Sequence, residues 1–268
     1  MPLTDPESRV TPNKEGGFAP NYTPWATVDV ASGLIVSVDV IPHTAEDKHL
    51  IAAIEDVQQQ FGWESPPRML ADGMLASGDN LAACAERGID LYSPVKGQVA
   101  ENPALRADPT QPVPAADRDK LPTQTIKRNG VTIKQLEKQA FVYDQGRDCY
   151  WCPEGKPLRY QNTTREKRGS TERIRRRYLS SAQDCAACPL AALCLQGQVK
   201  RRSVNREQHE AHREAHAKKM ATPAAKDIYV QRRHPGERPF AVIKHQFGAR
   251  HFLLRGLKKV QQEGWPVP

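Results

Sequence analysis

Residues 25–94 alternate between short β-branched runs and runs with helical spacing. Residues 25–41, WATVDVASGLIVSVDVI, contain two alternating apolar runs around a Ser-Gly turn, which predicts a β-hairpin. Apolar residues recur at helical spacing over residues 45–61, which predicts a helix after the hairpin. These patterns predict strands that pack against helices.

The continuation of this region predicts a further strand, helix and strand. Residues 68–71 form a short apolar run, residues 78–87 an amphipathic helix, and residues 89–94 another apolar run that ends at Pro94. The order β-β-α-β-α-β predicts an α/β fold whose sheet has parallel members. Functional side chains in such sheets lie at strand ends.

Charge is distributed unevenly along the 268 residues. The first hundred residues carry 6 Lys and Arg against 14 Asp and Glu, although the whole chain has a formal charge of +8. A basic part attracts phosphate backbones, and an acidic part that also binds DNA needs divalent cations to neutralise its carboxylates. Because no signal-like segment or membrane-length apolar run is present, we expect a cytoplasmic protein.

The middle of the chain is expected to interrupt the α/β domain. Residues 101–125 contain five prolines and little apolar content, which predicts a linker or an exposed excursion. Residues 130–144 are hairpin-like and lead into a cysteine-rich region. Residues 1–20 show no periodicity and are expected to be a loose lead-in.

Two helical segments are predicted near the carboxyl terminus, over residues 237–246 and 251–263. We expect Pro239 to be tolerated in the first turn of the earlier helix. The apolar side chains of that helix that are expected to face the core are Phe240, Ile243 and Phe247.

Three acidic residues stand where the predicted fold could bring them together. Asp29 lies on the first strand, Asp72 follows a buried strand, and Glu237 starts a late helix. Carboxylates suit Mg²⁺, and two such ions can activate an attacking oxygen and stabilise a leaving oxygen in phosphoryl displacement. Asp39 and Asp47 are rival ligands, and a solvated surface carboxylate is the alternative for each residue taken singly.

Five of the six cysteines are clustered in two CxxC units with one further cysteine: Cys149, Cys152, Cys185, Cys188 and Cys194. Thiolates at this spacing bind structural zinc, and four of them complete a tetrahedral site. Clustering in a reducing compartment favours a metal over disulfides. Five candidates compete for four places, with unmetallated thiols as the alternative.

A basic segment separates the two halves of the cysteine cluster. Residues 156–177 contain nine Lys and Arg against two acids. They include Arg175, Arg176 and Arg177, which are candidates for contacts with DNA phosphates. A solvated charged loop is the alternative.

Three blocks of the chain resemble insertion-element DDE transposases: TVDVASGLIVSVDVIPHTAEDKHL, MLADGMLASGDNLAACAERGIDLYSPV and YVQRRHPGERPFAVIKHQFGARHFLLRGLKKVQQE. The resemblance implies an RNase H-like mixed sheet with flanking helices, interrupted by a cysteine-rich zinc-binding insertion. It also implies that Asp29, Asp72 and Glu237 are catalytic and bind Mg²⁺ or Mn²⁺. The implied domains are a flexible lead-in (1–22), the core (23–100 and 226–268) and the insertion (101–225).

The same resemblance implies DNA-contacting residues around the glutamate. They are Tyr229, Lys244 and either Arg232 or Arg233. Arg232 has the expected distance from the tyrosine and Arg233 the expected distance from Glu237, so both stay open. Glu237 and Lys244 lie two helical turns apart and can face one site.

For zinc, the resemblance favours the block Cys152-Pro-Glu-Gly together with the block that contains the later cysteines. The implied ligands are Cys152, Cys185, Cys188 and Cys194, with Cys149 as the alternative.

The implied function is that of a DNA transposase, which cleaves double-stranded DNA at element ends in a metal-dependent reaction and transfers the strands into target DNA. A homodimer and association with the nucleoid are further expectations. Full-length relatives carry a helical region before the first Asp, where this chain has 28 residues. The chain is therefore expected to be the C-terminal part of a longer transposase. The alternatives are an inactive or split remnant and a non-catalytic zinc-containing DNA-binding protein.

Overall fold

The computed structural model describes residues 2, 4–12, 16–42, 46–62, 68–95, 101–128, 130–168, 171–248 and 251–263. The chain divides into two compact units, Met1–Lys96 with Ala211–Pro268, and Gly97–Glu210. Both helices and strands are present, as the mixed α/β prediction requires. None of the helices in these ranges has the length and apolar character needed to cross a membrane.

The first unit contains short strands followed by a run of helices. Its first elements are β1 (Arg9–Pro12), β2 (Phe18–Asn21), β3 (Thr23–Val28), β4 (Ile35–Ile41), α1 (Leu50–Phe61), β5 (Arg68–Leu70), α2 (Gly78–Glu86) and β6 (Asp90–Tyr92). Four described helices near the carboxyl terminus complete this unit. The second unit contains β7 (Thr123–Arg128), β8 (Val131–Leu136), β9 (Val142–Asp144), β10 (Cys149–Trp151), β11 (Pro157–Arg168), β12 (Thr171–Leu179), α3 (Ala182–Ala186), α4 (Ala191–Cys194) and β13 (Ser203–Glu207). The later helices are α5 (Glu210–Ala221), α6 (Pro223–Val230), α7 (Arg233–His245) and α8 (Leu257–Glu263).

The predicted hairpin is confirmed by β3 and β4, which pair antiparallel. Its turn is closed by the N–H of Asp29, which donates to the carbonyl of Leu34 at 2.9 Å. Gly33 in this turn has φ +74°, a conformation that glycine adopts without steric cost. The helix that follows starts as a 3₁₀ turn at Glu46–His49 and continues as α1; residue 45 lies outside the described residues.

Strands β5 and β6 pair in parallel, with α2 in the connection between them, as the α/β order predicts. Among the described strands, however, β3–β4 and β5–β6 form two separate two-stranded sheets. The single mixed sheet of an RNase H-like fold is therefore not formed there. Because β5 and β6 are three residues long, they offer few backbone groups to further strands.

The core of the first unit lies between α1, α2 and the β5–β6 pair. Leu50 and Ile54 of α1 are 0% and 1% exposed, and they pack with Leu75 and Leu91. Burial of such a side chain stabilises the fold by about 1.5–3 kcal/mol. Ala71 and Leu75, which flank Asp72 on either side, belong to this core, so the loop that carries Asp72 has a fixed base.

The second unit contains a five-stranded antiparallel sheet in the order β13-β12-β11-β10-β9 and a separate β7–β8 hairpin. The hairpin expected at residues 130–144 is therefore shifted, because its turn is at Gly130, where φ is +76°. Strand β9 belongs to the five-stranded sheet instead.

The proline-rich residues 101–125 are not an exposed linker in the structure. Ala104, Val113 and Leu121 are at most 3% exposed and join the core of the second unit. The N–H of Val113 also donates to the carbonyl of Pro153 at 2.7 Å. A few buried apolar residues thus fix a segment whose helices are two short 3₁₀ turns, Pro103–Leu105 and Ala115–Lys120.

The carboxyl-terminal helices have different bounds from those expected. Helix α7 begins at Arg233, so Pro239 lies in its middle rather than in its first turn. Proline there removes one helical hydrogen bond. Phe247, expected in the core, follows the helix and is 57% exposed. Helix α8 begins at Leu257.

Candidate functional site

Asp72 follows β5 in a loop that is fixed at its backbone. The hydroxyl of Ser93 donates to the carbonyl of Asp72 at 2.6 Å. One carboxylate oxygen accepts from the N–H of Met74 at 3.4 Å and caps a 3₁₀ turn. The Asp72 side chain is 61% exposed. The backbone of Asp72 is therefore fixed by hydrogen bonds, and its carboxylate is accessible to solvent.

The support of this loop continues into α5. The carbonyl of Ser93 lies 2.8 Å from Nε2 of His216, which must carry the proton in order to donate. Burial lowers the pKa of His216, which favours its neutral form. Lys219 of the same helix donates to the carbonyl of Leu91 at 2.8 Å and pairs with Asp90. Sequence reasoning missed Ser93 and His216, because no local pattern joins residues so far apart.

Arg232 contacts Asp72 directly. Its Nη2 atom lies 3.5 Å from Oδ2 of Asp72, and its side chain is 28% exposed. Tyr229 belongs to the same group: burial raises its pKa, Asp72 acts in the same direction, and Arg232 opposes it. The structure thus brings together three of the residues singled out from the sequence.

Asp29 lies in the β3–β4 turn, one residue after the strand on which it was expected. Its Oδ2 atom accepts from the hydroxyl of Ser32 at 2.5 Å and from the N–H of Ser32 at 2.8 Å. These hydrogen bonds, the hydroxyl first, lower the pKa of Asp29 and keep it ionised. The carboxylate therefore stabilises its own turn.

Glu237, Arg233 and Lys244 are exposed on α7. Lys244 lines a cavity of about 500 Å³ in the first unit, together with Phe240 and Ile243 of the same helix. Those two apolar side chains, expected in the core, therefore face this cavity.

The rival acids have other partners. Asp39 lies 3.3 Å from Nε2 of His49 and accepts from the side chain of Gln261 at 3.1 Å. Asp47 lies in the 3₁₀ turn before α1, and its carbonyl accepts from Asn80.

A metal centre formed by the three predicted acids is not assembled in the structure. Across the described ranges, no three His, Cys, Asp or Glu side chains are grouped so that they could hold a metal ion. The oxygen donors of Asp29, Asp72 and Glu237 suit Mg²⁺ by their chemistry. The side chain of Asp72 is 61% exposed and its carboxylate is therefore accessible to a cation, although it also contacts Arg232.

Four cysteines line one small cavity of about 30 Å³ in the second unit, although among the described residues they too are not grouped closely enough to hold a metal ion. A space of this size exceeds the volume needed for a single water molecule. The cysteines that line it are Cys152, Cys185, Cys188 and Cys194. Cys149 is buried in β10 and is not among the lining residues.

Polar groups contact two of the sulfur atoms that line this cavity. The N–H of Lys156 donates to Sγ of Cys152 at 3.3 Å, and the hydroxyl of Ser180 lies 3.1 Å from Sγ of Cys185. Burial raises the pKa of Cys152, Cys188 and Cys194, that of Cys194 to about 12. Without a metal these thiols therefore stay protonated at neutral pH.

Gly155 shapes the turn that follows Cys152. Its φ is +68°, and a Cβ atom at this position would lie 2.1 Å from the carbonyl oxygen of Thr110. The N–H of Gly155 donates to the carbonyl of Cys152 at 2.9 Å. Only glycine fits both the conformation and the close approach.

The three arginines expected to contact phosphates lie on β12, not on a loop. Arg175 lies 3.4 Å from each of Glu166 and Glu207. Arg176 pairs with Asp148, whose carboxylate also accepts from two tyrosine hydroxyls. Arg177 donates to the hydroxyl of Ser203 at 3.0 Å. Two of the three arginines thus have acidic partners within the second unit.

In a comparison with known families, the family described as Transposase DDE domain matches residues 151–264. This range includes α7, with Glu237 and Lys244, and the four cysteines of the small cavity. It confirms, for the C-terminal part of the chain, the family inferred from the sequence. No curated protein and no solved structure matches the chain.

Proposed function

Since the chain carries a transposase DDE domain at residues 151–264, we propose that it is a DNA transposase that cleaves double-stranded DNA at the ends of an insertion element and joins them to target DNA. We propose further that residues 23–100 and 226–268 form the catalytic core after a lead-in at residues 1–22, and that residues 101–225 are inserted into it. As a transposase, the protein acts on DNA.

The contact between Asp72 and Arg232 is the observation that carries this proposal. It joins a carboxylate at the end of a strand to an arginine 160 residues later, within the family-matched range. A cation beside an acidic centre can bind the phosphate on which the acids act. The contact favours Arg232 over Arg233 as the arginine that works with Asp72 and Tyr229.

We assign Asp29, Asp72 and Glu237 as the groups that would hold Mg²⁺ or Mn²⁺. When bound, such ions activate the attacking oxygen and stabilise the leaving oxygen at phosphorus. The fixed loop of Asp72 keeps its carboxylate in one place, so little ordering is required when DNA binds.

The remaining residues of this site bind and orient DNA. The guanidinium of Arg232 can donate two parallel hydrogen bonds to one phosphate. Lys244 supplies a mobile point charge to a phosphate. Tyr229, whose pKa is raised by burial, keeps its hydroxyl proton and can donate it to a phosphate oxygen.

A structural zinc ion is proposed at the small cavity of the second unit. Cys152, Cys185, Cys188 and Cys194 supply four sulfurs, as a closed zinc site requires, and Cys149 is the alternative ligand. The hydrogen bond that Cys152 accepts from the N–H of Lys156 supports charge on that sulfur. Zinc binding must release protons, because burial raises the pKa of Cys152, Cys188 and Cys194.

A zinc-containing DNA-binding protein that does not cleave DNA is the second candidate. It is favoured by the arrangement of the three acids, which the described part of the structure does not group around one point. An inactive or split transposase remnant would behave in the same way in a cleavage assay.

The proposal is tested with purified protein and a supercoiled plasmid that carries the genomic DNA flanking its gene. We expect nicking that requires Mg²⁺ or Mn²⁺ and that Asp72→Ala reduces to background. Glu86→Ala, which removes an exposed acid on α2, is the matched control and should nick normally. Metal-dependent nicking by Asp72→Ala at the wild-type rate would remove Asp72 from the site.

Zinc is tested in the same preparations by metal analysis. We expect one zinc ion per chain in the wild type and in Cys149→Ser, and a loss of zinc in Cys152→Ser. Equal zinc content in both variants would refute the proposed ligand set.

A further inference from the structure

Strands β11 and β12 stay paired beyond the rest of their sheet. Strand β10 pairs with β11 only over Pro157–Arg159, and β13 pairs with β12 only over Arg175–Leu179. The β11–β12 ladder continues to the pair Arg168↔Thr171. Residues 165–168 and 171–174 therefore form a two-stranded ribbon, called here the ribbon, that no third strand joins in the described part of the sheet.

The ribbon is exposed on both of its faces. Residues 165–167 are all exposed, as are Glu172 and Arg173, so alternate residues show no buried side. Ile174 is the only apolar residue in the ribbon sequence, REKR and TERI. A two-stranded hairpin is at best marginally stable by itself. Because the ribbon has almost no apolar surface, it must contact a partner through its polar and charged groups.

Positive charge dominates the ribbon. It contains four Lys and Arg against two Glu, and three more arginines follow on β12. Its ion pairs are long and exposed: Arg165 lies 3.9 Å from Glu172, and Arg173 lies 3.8 Å from Glu207. Such pairs contribute about 0–1 kcal/mol each and can be exchanged for phosphates at little cost.

Alternation along β11 puts Arg165 and Lys167 on the same face of the ribbon. Among the described residues, Lys167 has no acidic partner within ion-pair distance, so its charge is available to a ligand. Thr163, just before the ribbon, lies on the same face of β11 and offers a short hydroxyl and a methyl group. This face combines two long cations with a small side chain that can approach a surface closely.

We propose that the ribbon lies in the major groove of the DNA, with Arg165 and Lys167 reaching the phosphates or base edges along it. This inference rests on the proposed function, because it takes DNA as the substrate. The major groove is about 12 Å wide and admits a two-stranded β-ribbon, whereas the minor groove is about 6 Å wide. Four residues of β-strand extend roughly 13 Å, which follows the groove over a few base pairs.

The test compares two double variants of the full chain. Arg165→Gln with Lys167→Gln removes two charges from the ribbon. Lys127→Gln with Lys134→Gln removes two exposed charges from the β7–β8 hairpin of the same unit and is the matched control. Binding of a short fluorescent duplex is measured by anisotropy over a series of KCl concentrations.

We expect the ribbon variant to bind roughly 10–100-fold more weakly at about 0.1 M salt, with a salt slope reduced by about 1–2, since each lost phosphate contact changes the slope by about 0.9. The control variant should bind as the wild type does. Equal affinities and slopes for the two variants would overturn the inference.

The groove is tested with two further duplexes. One carries glucosylated hydroxymethylcytosine, which fills the major groove, and the other is saturated with a minor-groove ligand such as distamycin. We expect only the first to weaken binding by the wild type. Weakening by distamycin alone would contradict the assignment to the major groove, and ribbon-dependent dimers in sedimentation, with unchanged DNA binding, would assign the ribbon to a second copy instead.

Failure of the ribbon inference can be distinguished from failure of the proposed transposase function. Asp72→Ala is expected to abolish cleavage, and adding the two ribbon substitutions to it should still weaken DNA binding. If no cleavage is found with any metal but the ribbon variant still loses DNA affinity, the transposase activity fails and the ribbon inference stands.

Discussion

Gly155→Ala is the substitution whose cost the structure defines most closely. Gly155 has φ +68°, and an added Cβ would lie 2.1 Å from the carbonyl oxygen of Thr110 and 3.0 Å from the carbonyl carbon of Gln111. Both contacts are with backbone atoms, which cannot rotate away as a flexible side chain can. Either the turn after Cys152 or the proline-rich segment must therefore move.

Two physical terms add up in this variant. The left-handed conformation costs an L-residue about 1–2 kcal/mol. Forcing extra atoms into a packed site costs a further ~1–3 kcal/mol. The expected loss of unfolding free energy is therefore about 2–5 kcal/mol. Gly197→Ala separates the terms, because Gly197 has φ +56° and no atom within 4 Å of its Cβ position.

The assay is native-state hydrogen exchange of the amides in β10 and β11, which reports the opening free energy of the second unit. We expect Gly155→Ala to lower this free energy by about 1–3 kcal/mol more than Gly197→Ala does, since only the former has a clash. Gly155→Ala should also bind less zinc, because it displaces the turn beside Cys152. Equal destabilisation by both variants would refute the close approach.

Three other predictions concern single side chains. Asn tolerates the φ of +47° at position 148. Asp148→Asn is expected to lower the free energy of unfolding in urea by about 1–3 kcal/mol, because two tyrosine hydroxyls lose a charged acceptor and the solvent-exposed ion pair with Arg176 is lost. An unchanged midpoint would contradict this. His216 has a lowered pKa, so its stabilising effect is complete above the unfolded pKa of about 6.5 and declines as the pH falls below it. Between about pH 7 and pH 5, thermal melts of the wild type should therefore lose more Tm than those of His216→Gln. Arg232→Ala should slow plasmid nicking by roughly 10²–10³-fold, whereas equal rates would separate Arg232 from the function of Asp72.

Local patterns in the sequence predicted elements that depend on neighbours in the chain. The alternation over residues 25–41 predicted β3 and β4, because side chains of a strand with one buried face must alternate. The helical spacing over residues 78–87 predicted α2 within one residue at its end. In both cases the spacing of apolar residues along the chain was sufficient to predict the strand or helix.

Contacts between distant segments could not be predicted in this way. The hydrogen bond between Ser93 and His216 joins residues 123 apart, and neither residue belongs to a recognisable motif. The burial of Val113 and Leu121 was also missed, because prolines mark a break in regular structure but do not show whether the flanking apolar residues are buried. Tertiary packing decided both features.

Helical geometry explains why the sequence offered two arginines for one role. Arg233, Glu237 and Lys244 lie within about 40° of one another around α7, given 100° per residue, whereas Arg232 and Glu237 lie roughly 140° apart. Arg232 is therefore directed to Asp72, and Arg233 shares the face of Glu237 and Lys244. The spacing expected from Tyr229 selects Arg232, and the spacing expected from Glu237 selects Arg233, which lies on a different face of the helix. When Arg232 contacts Asp72, Glu237 lies on a face of α7 that points away from Asp72. This geometry accounts for the lack of a three-acid metal group among the described residues.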